Sequence, residues 1–305
     1  MIKHSQSEFK SNTEAKNFVR QCELDFDTRL VSLTDQVCGE NELKVITLSG
    51  PTCSGKTTAS KKLVEALAGH SKRINIISID DFYYDKDKLH EISKQKGMDK
   101  VDYDSVDTID IATLCKVVDE IFDQISQEVH IPVFDFVEGK RTGYKSLECT
   151  DNDIFVFEGI QALYPEIHTL FEAHSYCDIF ICVESSIEVG NAIFEPNEIR
   201  LLRRLVRDNH FRATSPDFTF NMWDSVRENE ENNIFPYADK CKYRVDSVFP
   251  CEISLLKPYL EESLSQIKYN DKNYKRAQKI LSKISHVQSI PKEYLSDNSF
   301  YFEFI

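Results

Sequence analysis

"GPTCSGKTT", Gly50 to Thr58, is the stretch on which the fold turns. From Gly50 to Thr57 the spacing is G-x-x-x-x-G-K-T, and each fixed position has a physical task. Glycine lets the backbone turn until successive N–H groups point inward at phosphate oxygens. The helix that follows adds the partial positive charge of its N-terminus, Lys56 reaches the β and γ phosphates, and the Thr57 hydroxyl can ligate magnesium. The flanks supply the context such a loop requires. "LKVITLSG" (43–50) is a short apolar run rich in β-branched residues, and "TTASKKLVEALAGH" (57–70) has helical periodicity. Gly50, Pro51, Thr52, Cys53, Ser54, Gly55, Lys56, Thr57 and Thr58 are therefore expected around the phosphates of a bound nucleotide.

Moving outward, further strands are expected at 74–80, 130–136, 153–159 and 177–183, with helical patterns between most of them. That alternation implies crossover connections, hence an α/β fold with a parallel sheet of about five strands covered on both faces. "FVEGKRTGYKSLEC" (136–149) is too polar and glycine-marked for a core element and is placed as a hairpin or loop over the site. Residues 1 to about 42 read as an amphipathic helical extension. Two more amphipathic helices after residue 250 make 251–305 a C-terminal extension packed on a central domain of residues 43–250.

Three classes use such a loop: GTP-hydrolysing switches, ATP-driven motors and small-molecule kinases. The chain has no Asn-Lys-x-Asp element to read guanine, and the apolar strand "IFVFEG" ends in Glu158 and Gly159 rather than in an Asp that would place a water. Those absences favour a kinase. Phosphoryl transfer to an alcohol needs a carboxylate that orients the acceptor hydroxyl and takes its proton. "SIDDFYYDK" puts Asp80 and Asp81 just past the end of the second strand, where ligands collect in open α/β sheets, and Asp80 is the expected base. "VDYDSVDTIDI" adds Asp102, Asp104, Asp107 and Asp110, one of which could hold a substrate's vicinal hydroxyls.

Six of the twelve arginines (Arg200, Arg203, Arg204, Arg207, Arg212 and Arg227) fall in one short stretch. In "IRLLRRLVRDNHFR" the first four stand at i, i+3, i+4 and i+7, one helix face, and without interleaved carboxylates they repel one another. Nucleotide phosphates would relieve that repulsion, so a phosphate-binding lid is expected, with Arg203 on the nucleotide and Arg204 and Arg207 at the transition state.

A formal charge of −14 argues against broad nucleic-acid or anionic-membrane binding, since both demand a basic surface. The polar start "MIKHSQSEFKSNTEAK" has no apolar signal core, which reads as a cytoplasmic protein. Nine cysteines without a CxxC pair look like reduced, scattered thiols. A homo-oligomer is left open.

"GPTCSGKTT", "SIDDFYY", "DYDSVDTID", "IPVFDF", "VFEGI", "IRLLRRLVRD" and "YADK" occur in the order found in the uridine kinase and phosphoribulokinase family, and from about Val45 to Tyr237 the chain resembles that family. The stretches around "EGKR", "FRATSPDFTF" and "NSFYFEFI" resemble a bacterial uridine kinase-like subgroup. The resemblance implies the P-loop NTPase fold and transfer of a phosphoryl group from ATP, with Mg2+, to a small-molecule hydroxyl, foremost the 5′-hydroxyl of uridine. It also implies roles for individual residues. Asp80 matches the general base, Tyr83 a residue lining the nucleoside site, Asp104 the carboxylate that holds ribose hydroxyls and Glu158 the acid near magnesium. Arg204, Arg207 and Arg212 match lid and substrate-side arginines, and Arg141 a basic residue of the hairpin. Two departures bear on the acceptor: Phe134 stands where the family has Tyr in "PVYDF", and Gly139 where it has a base-reading His. A pocket lacking those groups loses the polar partners that discriminate a pyrimidine, which leaves a kinase of a different nucleoside, sugar or polyol as an alternative; a nucleotide-binding regulator that has lost catalysis ranks last, since Lys56 and Asp80 are both present.

Overall fold

A computed structural model describes residues 3–6, 8–40, 42–68, 73–98, 101–122 and 128–305. In chain order the elements are β1 (Lys3–Gln6), α1 (Asn12–Cys38), β2 (Val45–Ser49), α2 (Lys56–Ala68), β3 (Arg73–Ser78), α3 (Lys86–Gln95), α4 (Ile111–Phe122), β4 (Glu128–Asp135), β5 (Lys140–Glu148) and β6 (Asp153–Glu158). Then come α5 (Pro165–His168), β7 (Tyr176–Cys182), β8 (Ser186–Val189), β9 (Ala192–Phe194), α6 (Pro196–Arg212), α7 (Pro216–Asn233), α8 (Phe235–Ala238), β10 (Tyr243–Asp246), α9 (Glu252–Leu264) and α10 (Tyr274–Ile284).

The central sheet has five parallel strands in the order β10-β7-β2-β6-β3. Strands covered on both faces have no solvent side on which to place polar residues, and β2 and β6 are buried at every position. The chain leaves β2, passes over β6 to reach β3, and later returns to β7 on the other side of β2. The connections therefore diverge beside the carboxyl end of β2, where an α/β sheet opens a crevice.

Two membership differences follow from burial. Of the run 130–136, expected in the sheet, all but Phe136 lies in β4, which pairs antiparallel with β5 as a separate hairpin. Its alternating exposure suits a ribbon with one covered face rather than a doubly covered strand. The fifth sheet strand is instead β10, four residues carrying Arg244 and Asp246, which pairs with β7 from Tyr243 opposite Ile179 to Asp246 opposite Cys182.

One apolar core joins α1, α2, α6, α9, α10 and the segment Phe300–Ile305 to one side of the sheet; a second joins α4, β4 and Phe171 to the other. In α1 the buried residues Ala15, Val19, Cys22, Phe26, Leu30, Leu33 and Val37 recur every three or four positions, the spacing of one helix face. The expected helix over 1–42 begins only at Asn12. Ser11 sets that start, its hydroxyl accepting from the Glu14 N–H at 3.2 Å while the Glu14 carboxylate reaches back to the Lys10 N–H at 2.8 Å. Ahead of it, β1 pairs with β8. Residues 1, 2, 7 and 41 of that expected extension, and Gly69 and His70 at the end of the expected loop helix, lie outside the described residues. All nine cysteines are free. Among the described residues no helix is long and apolar enough to cross a membrane.

Candidate active site

The site forms where β2, β6 and β3 end side by side. Leu48 in β2 and Ser78 in β3 are both level with Glu158, the last residue of β6. Beyond Ser49 the chain enters the loop 50–55. A Cβ on Gly50 would stand 2.0 Å from the Ile181 carbonyl oxygen, so only glycine fits between β2 and β7. Cys53 and Gly55 both have left-handed backbones, φ 56 and 88. Those turns let the chain curl around a concavity before α2 begins at Lys56. The Lys56 ammonium folds over the loop, donating to the carbonyls of Gly50 at 2.9 Å and Pro51 at 3.2 Å. The Ser54 hydroxyl is buried without a partner, an unsatisfied polar atom inside the loop.

Asp80 follows β3 in a short 3-10 turn, Ile79–Phe82, and is half-buried. Burial pushes its carboxyl up to about 6, with Lys56 opposing the rise and Asp104 and Asp81 adding to it; Arg212 also pulls it down. Glu158 is 8% exposed, and burial takes its carboxyl up to about 7 against the pull of Lys56, with Asp80 and Glu303 contributing. These mutual effects mark Lys56, Asp80 and Glu158 as one electrostatic cluster. Asp104 joins it: burial raises its carboxyl, Asp102 adds to the rise and Arg204 opposes it.

Asp81 belongs to the hairpin instead. Its carboxylate accepts from the Phe134 N–H at 3.2 Å and from Lys145 at 3.0 Å, tying β4 and β5 to the end of β3. Arg141, expected to touch substrate, donates through its guanidinium to Asp110 and to the Phe82 carbonyl, both at 3.0 Å. Gly139 sits in the hairpin turn with φ 67, a backbone that disfavours a side chain there whatever the ligand. Where the hairpin meets the turn after β3 the side chains are aromatic: the Tyr83 ring lies 5.7 Å from Phe134 and 6.1 Å from Phe136, and Phe134 lies 5.1 Å from Phe136. Tyr83 is fixed by its hydroxyl, which donates to the Tyr103 carbonyl at 2.6 Å and accepts from Gln161 at 3.1 Å. Phe136 and Val137 are exposed at the hairpin tip.

The arginine row of α6 divides into two pairs with different work, correcting the expectation of a uniform lid. Arg200 and Arg203 have no exposed surface. Arg200 donates to both oxygens of Glu230 at 2.7 Å, and Arg203 to both oxygens of Glu252 at 2.6 and 2.9 Å. Their repulsion is relieved by carboxylates from α7 and α9, and Arg203 has no open face for a nucleotide. Both pairs instead grip the loop from behind: Arg200 donates to the Thr52 carbonyl at 3.1 Å, Glu230 accepts from the Thr52 N–H at 3.2 Å, and Arg203 donates to the Cys53 carbonyl at 3.2 Å. Arg204 and Arg207 share Asp208, a carboxylate inside the row itself, at 3.2 and 2.7 Å. Arg212 is the open one, its side chain 60% exposed and 3.8 Å from Asp208. Desolvation, and after it the neighbouring Arg207, lowers the basicity of Arg212.

The donor set fits a magnesium nucleotide. The loop offers backbone N–H groups, a lysine and an unsatisfied hydroxyl, and among the described residues no cluster of three His, Cys, Asp or Glu could bind a metal alone. Magnesium suits that arrangement, because it is usually held by one or two protein ligands together with phosphates and water. Sequence reasoning missed Glu230, Glu252, Asp208 and Glu303. Of these only Asp208 left a local signal, standing four residues after Arg204 and next to Arg207.

The family model described as "Phosphoribulokinase / Uridine kinase family" matches residues 45–253. Uridine-cytidine kinase 2-B of Danio rerio is 29% identical over 185 residues, 59% of this chain and 63% of that protein, so the match spans less than two thirds of the relative's length. Uridine kinase of Lactobacillus helveticus is 27% identical over 179 residues, 59% of this chain and 74% of that protein. Among solved structures, D-glycerate 3-kinase of Cryptococcus neoformans aligns with a TM-score of 0.45 at 13% identity, over 70% of this chain and 87% of that one.

Proposed function

The chain belongs to the phosphoribulokinase and uridine kinase family, and from that premise we propose that it transfers the γ-phosphoryl group of ATP, with Mg2+, to a hydroxyl of a small molecule, the 5′-hydroxyl of uridine being the leading acceptor. The observation that carries this reading is the convergence of Lys56, Asp80 and Glu158 at the ends of adjacent strands, with Asp80 and Glu158 both raised toward neutrality. A carboxylate whose affinity for a proton lies near working pH is suited to accept one from an alcohol.

MgATP supplies the electrophilic phosphorus; the chain's residues supply position and charge. Lys56 and the loop N–H groups hold the phosphates, and Thr57 and Glu158 hold the metal. Asp80 orients the acceptor hydroxyl and takes its proton. Asp104 accepts from neighbouring hydroxyls, and Tyr83 with Phe134 flanks the rest of the acceptor. Arg204, Arg207 and Arg212 balance the negative charge of the transferring group. Arg200 and Arg203 act through the loop's shape, as positioning residues.

A second reading is favoured by the apolar character of Phe134 and Phe136 and by Gly139, whose turn leaves no side chain to read a base. It is a kinase of a different nucleoside, sugar or polyol. Coupled ADP release with MgATP and single acceptors separates the two. Turnover with uridine or cytidine supports the first reading, turnover only on ribose, another nucleoside or a polyol supports the second, and silence with every acceptor overturns both.

A further inference from the structure

The chain's own residues 299–305 lie against the phosphate loop. A 3-10 turn, Phe300–Glu303, starts at Ser299, whose hydroxyl accepts from the Tyr301 N–H at 3.3 Å. The Phe300 ring closes the outer side of the loop: a Cβ on Gly55 would come within 2.2 Å of it. That ring also meets Phe26 of α1 at 4.3 Å. Tyr301 is buried and donates its hydroxyl to Glu252 at 3.1 Å, and Phe304 packs under the Arg203 guanidinium at 4.8 Å. The segment is thus anchored to the same Arg203–Glu252 pair that holds the Cys53 carbonyl.

Between those anchors Glu303 turns toward the site. Its Oε2 accepts from the Thr58 N–H at 3.1 Å, in the first turn of α2, a helix with no acidic residue of its own there. Its charge also acts on Glu158 and Arg207, one on the metal side of the site and one in the lid. The free N–H groups at the start of a helix after such a loop are the donors it offers to phosphate oxygens, and a carboxylate meets them with the same sign and the same kind of oxygen. Lys56, meanwhile, is turned onto the loop's own carbonyls.

We propose that Glu303 is an internal pseudo-ligand: residues 299–305 hold the phosphate loop self-occupied, with the Glu303 carboxylate on a donor that a nucleotide phosphate takes, so that nucleotide binding displaces it. This rests on the loop's being the nucleotide site. Apparent affinity is then the intrinsic affinity reduced by the fraction of molecules in which Glu303 has let go. Losing that bond loosens the turn around Glu303, while Phe300, Tyr301 and Phe304 keep the segment against the core. The device couples occupancy of the loop to the order of a segment far away in sequence, which makes any ligand or partner that draws Glu303 away an activator.

The test is calorimetric titration of MgADP into the full chain and into Glu303→Gln and Glu303→Ala, with hydrogen exchange of residues 299–305 followed before and after nucleotide. Glu303 is partly exposed, so neither variant should disturb folding. Both are expected to bind MgADP on the order of tenfold more tightly, because a charge-assisted bond is replaced by a weaker one or none. In the unaltered chain, exchange at 299–305 should rise on binding. If the unaltered chain binds MgADP and the variants bind equally or more weakly, with exchange unchanged, Glu303 is a cap or part of the nucleotide site and the proposal falls. If none of the three binds, the nucleotide reading itself falls and takes this one with it.

Discussion

Replacing Asp80 by Asn should make the protein more stable and less active at once, with a pH dependence that identifies the cause. The Asp80 carboxyl is pushed up to about 6 from 3.8, first by burial. At 1.36 kcal/mol per tenfold change, carrying the negative charge above pH 6 costs the folded state about 3 kcal/mol, and its partial exposure brings that to roughly 2–3. The sign follows from proton binding. The native state holds this proton more tightly than the unfolded chain, so stability from this group is greatest below about pH 4 and is lost as pH rises toward 6. Asn carries no charge at any of these values. The variant should match the parent near pH 4 and exceed it above pH 6.5, by roughly 5 °C in Tm for a chain of this size. Scanning calorimetry of the ligand-free proteins at pH 4.5, 5.5, 6.5 and 8 measures the gap. Turnover should fall by about 100-fold or more, with MgADP affinity retained. In the parent, kcat/KM should decline below about pH 6, as the free enzyme's base takes up its proton. A Tm gap that does not grow between pH 4.5 and 6.5 would refute the burial argument. Unchanged turnover would move the proton-accepting role to Asp104, since Asp81 is engaged by Lys145 and the Phe134 N–H.

The other expectations concern the arginines. Glu252→Gln leaves the buried Arg203 charge without a counter-ion and should destabilise the fold by about 3–5 kcal/mol, whereas the double change Arg203→Met/Glu252→Leu should recover most of that loss. Urea unfolding decides it, and a Glu252→Gln midpoint equal to the parent's would mean that the Arg203–Glu252 pair does not stabilise the fold. Arg212→Ala removes an exposed guanidinium and should change stability by no more than about 0.5 kcal/mol. The same change should lower kcat by roughly tenfold or more at saturating nucleotide. Steady-state kinetics alongside a Tm measurement would expose the reverse pattern, an intact kcat with a lowered Tm, which would make Arg212 structural.

Much of the site could be read before the fold was known. The loop, its strand and its helix are neighbours in sequence, so backbone sterics and periodicity over some two dozen residues were enough to place Lys56 and Thr57. Asp80 and Glu158 were legible because each ends a β-branched or aromatic run, and in a parallel sheet the carboxyl ends of such runs share one edge. The hairpin was harder. "HIPVFDF" has the apolar content of a core strand, and only its pairing with β5, fixed through Asp81, shows that it stands outside the sheet. β10 was illegible for the opposite reason, since four residues with two charges become a strand only because the edge of β7 offers unpaired backbone groups.

The arginine row marks the boundary between the two kinds of information. The sequence alone determined that four guanidiniums share a helix face and that something negative must answer them, because like charges at that spacing repel. Which anions answer was decided by tertiary structure: Glu230 and Glu252 approach from 30 and 49 residues away, and Glu303 reaches the start of α2 from 245 residues beyond Thr58. No local pattern encodes those partners. A buried charge selects its counter-ion by proximity in the folded core, and that proximity exists only after the helices at both ends of the chain have packed against the loop.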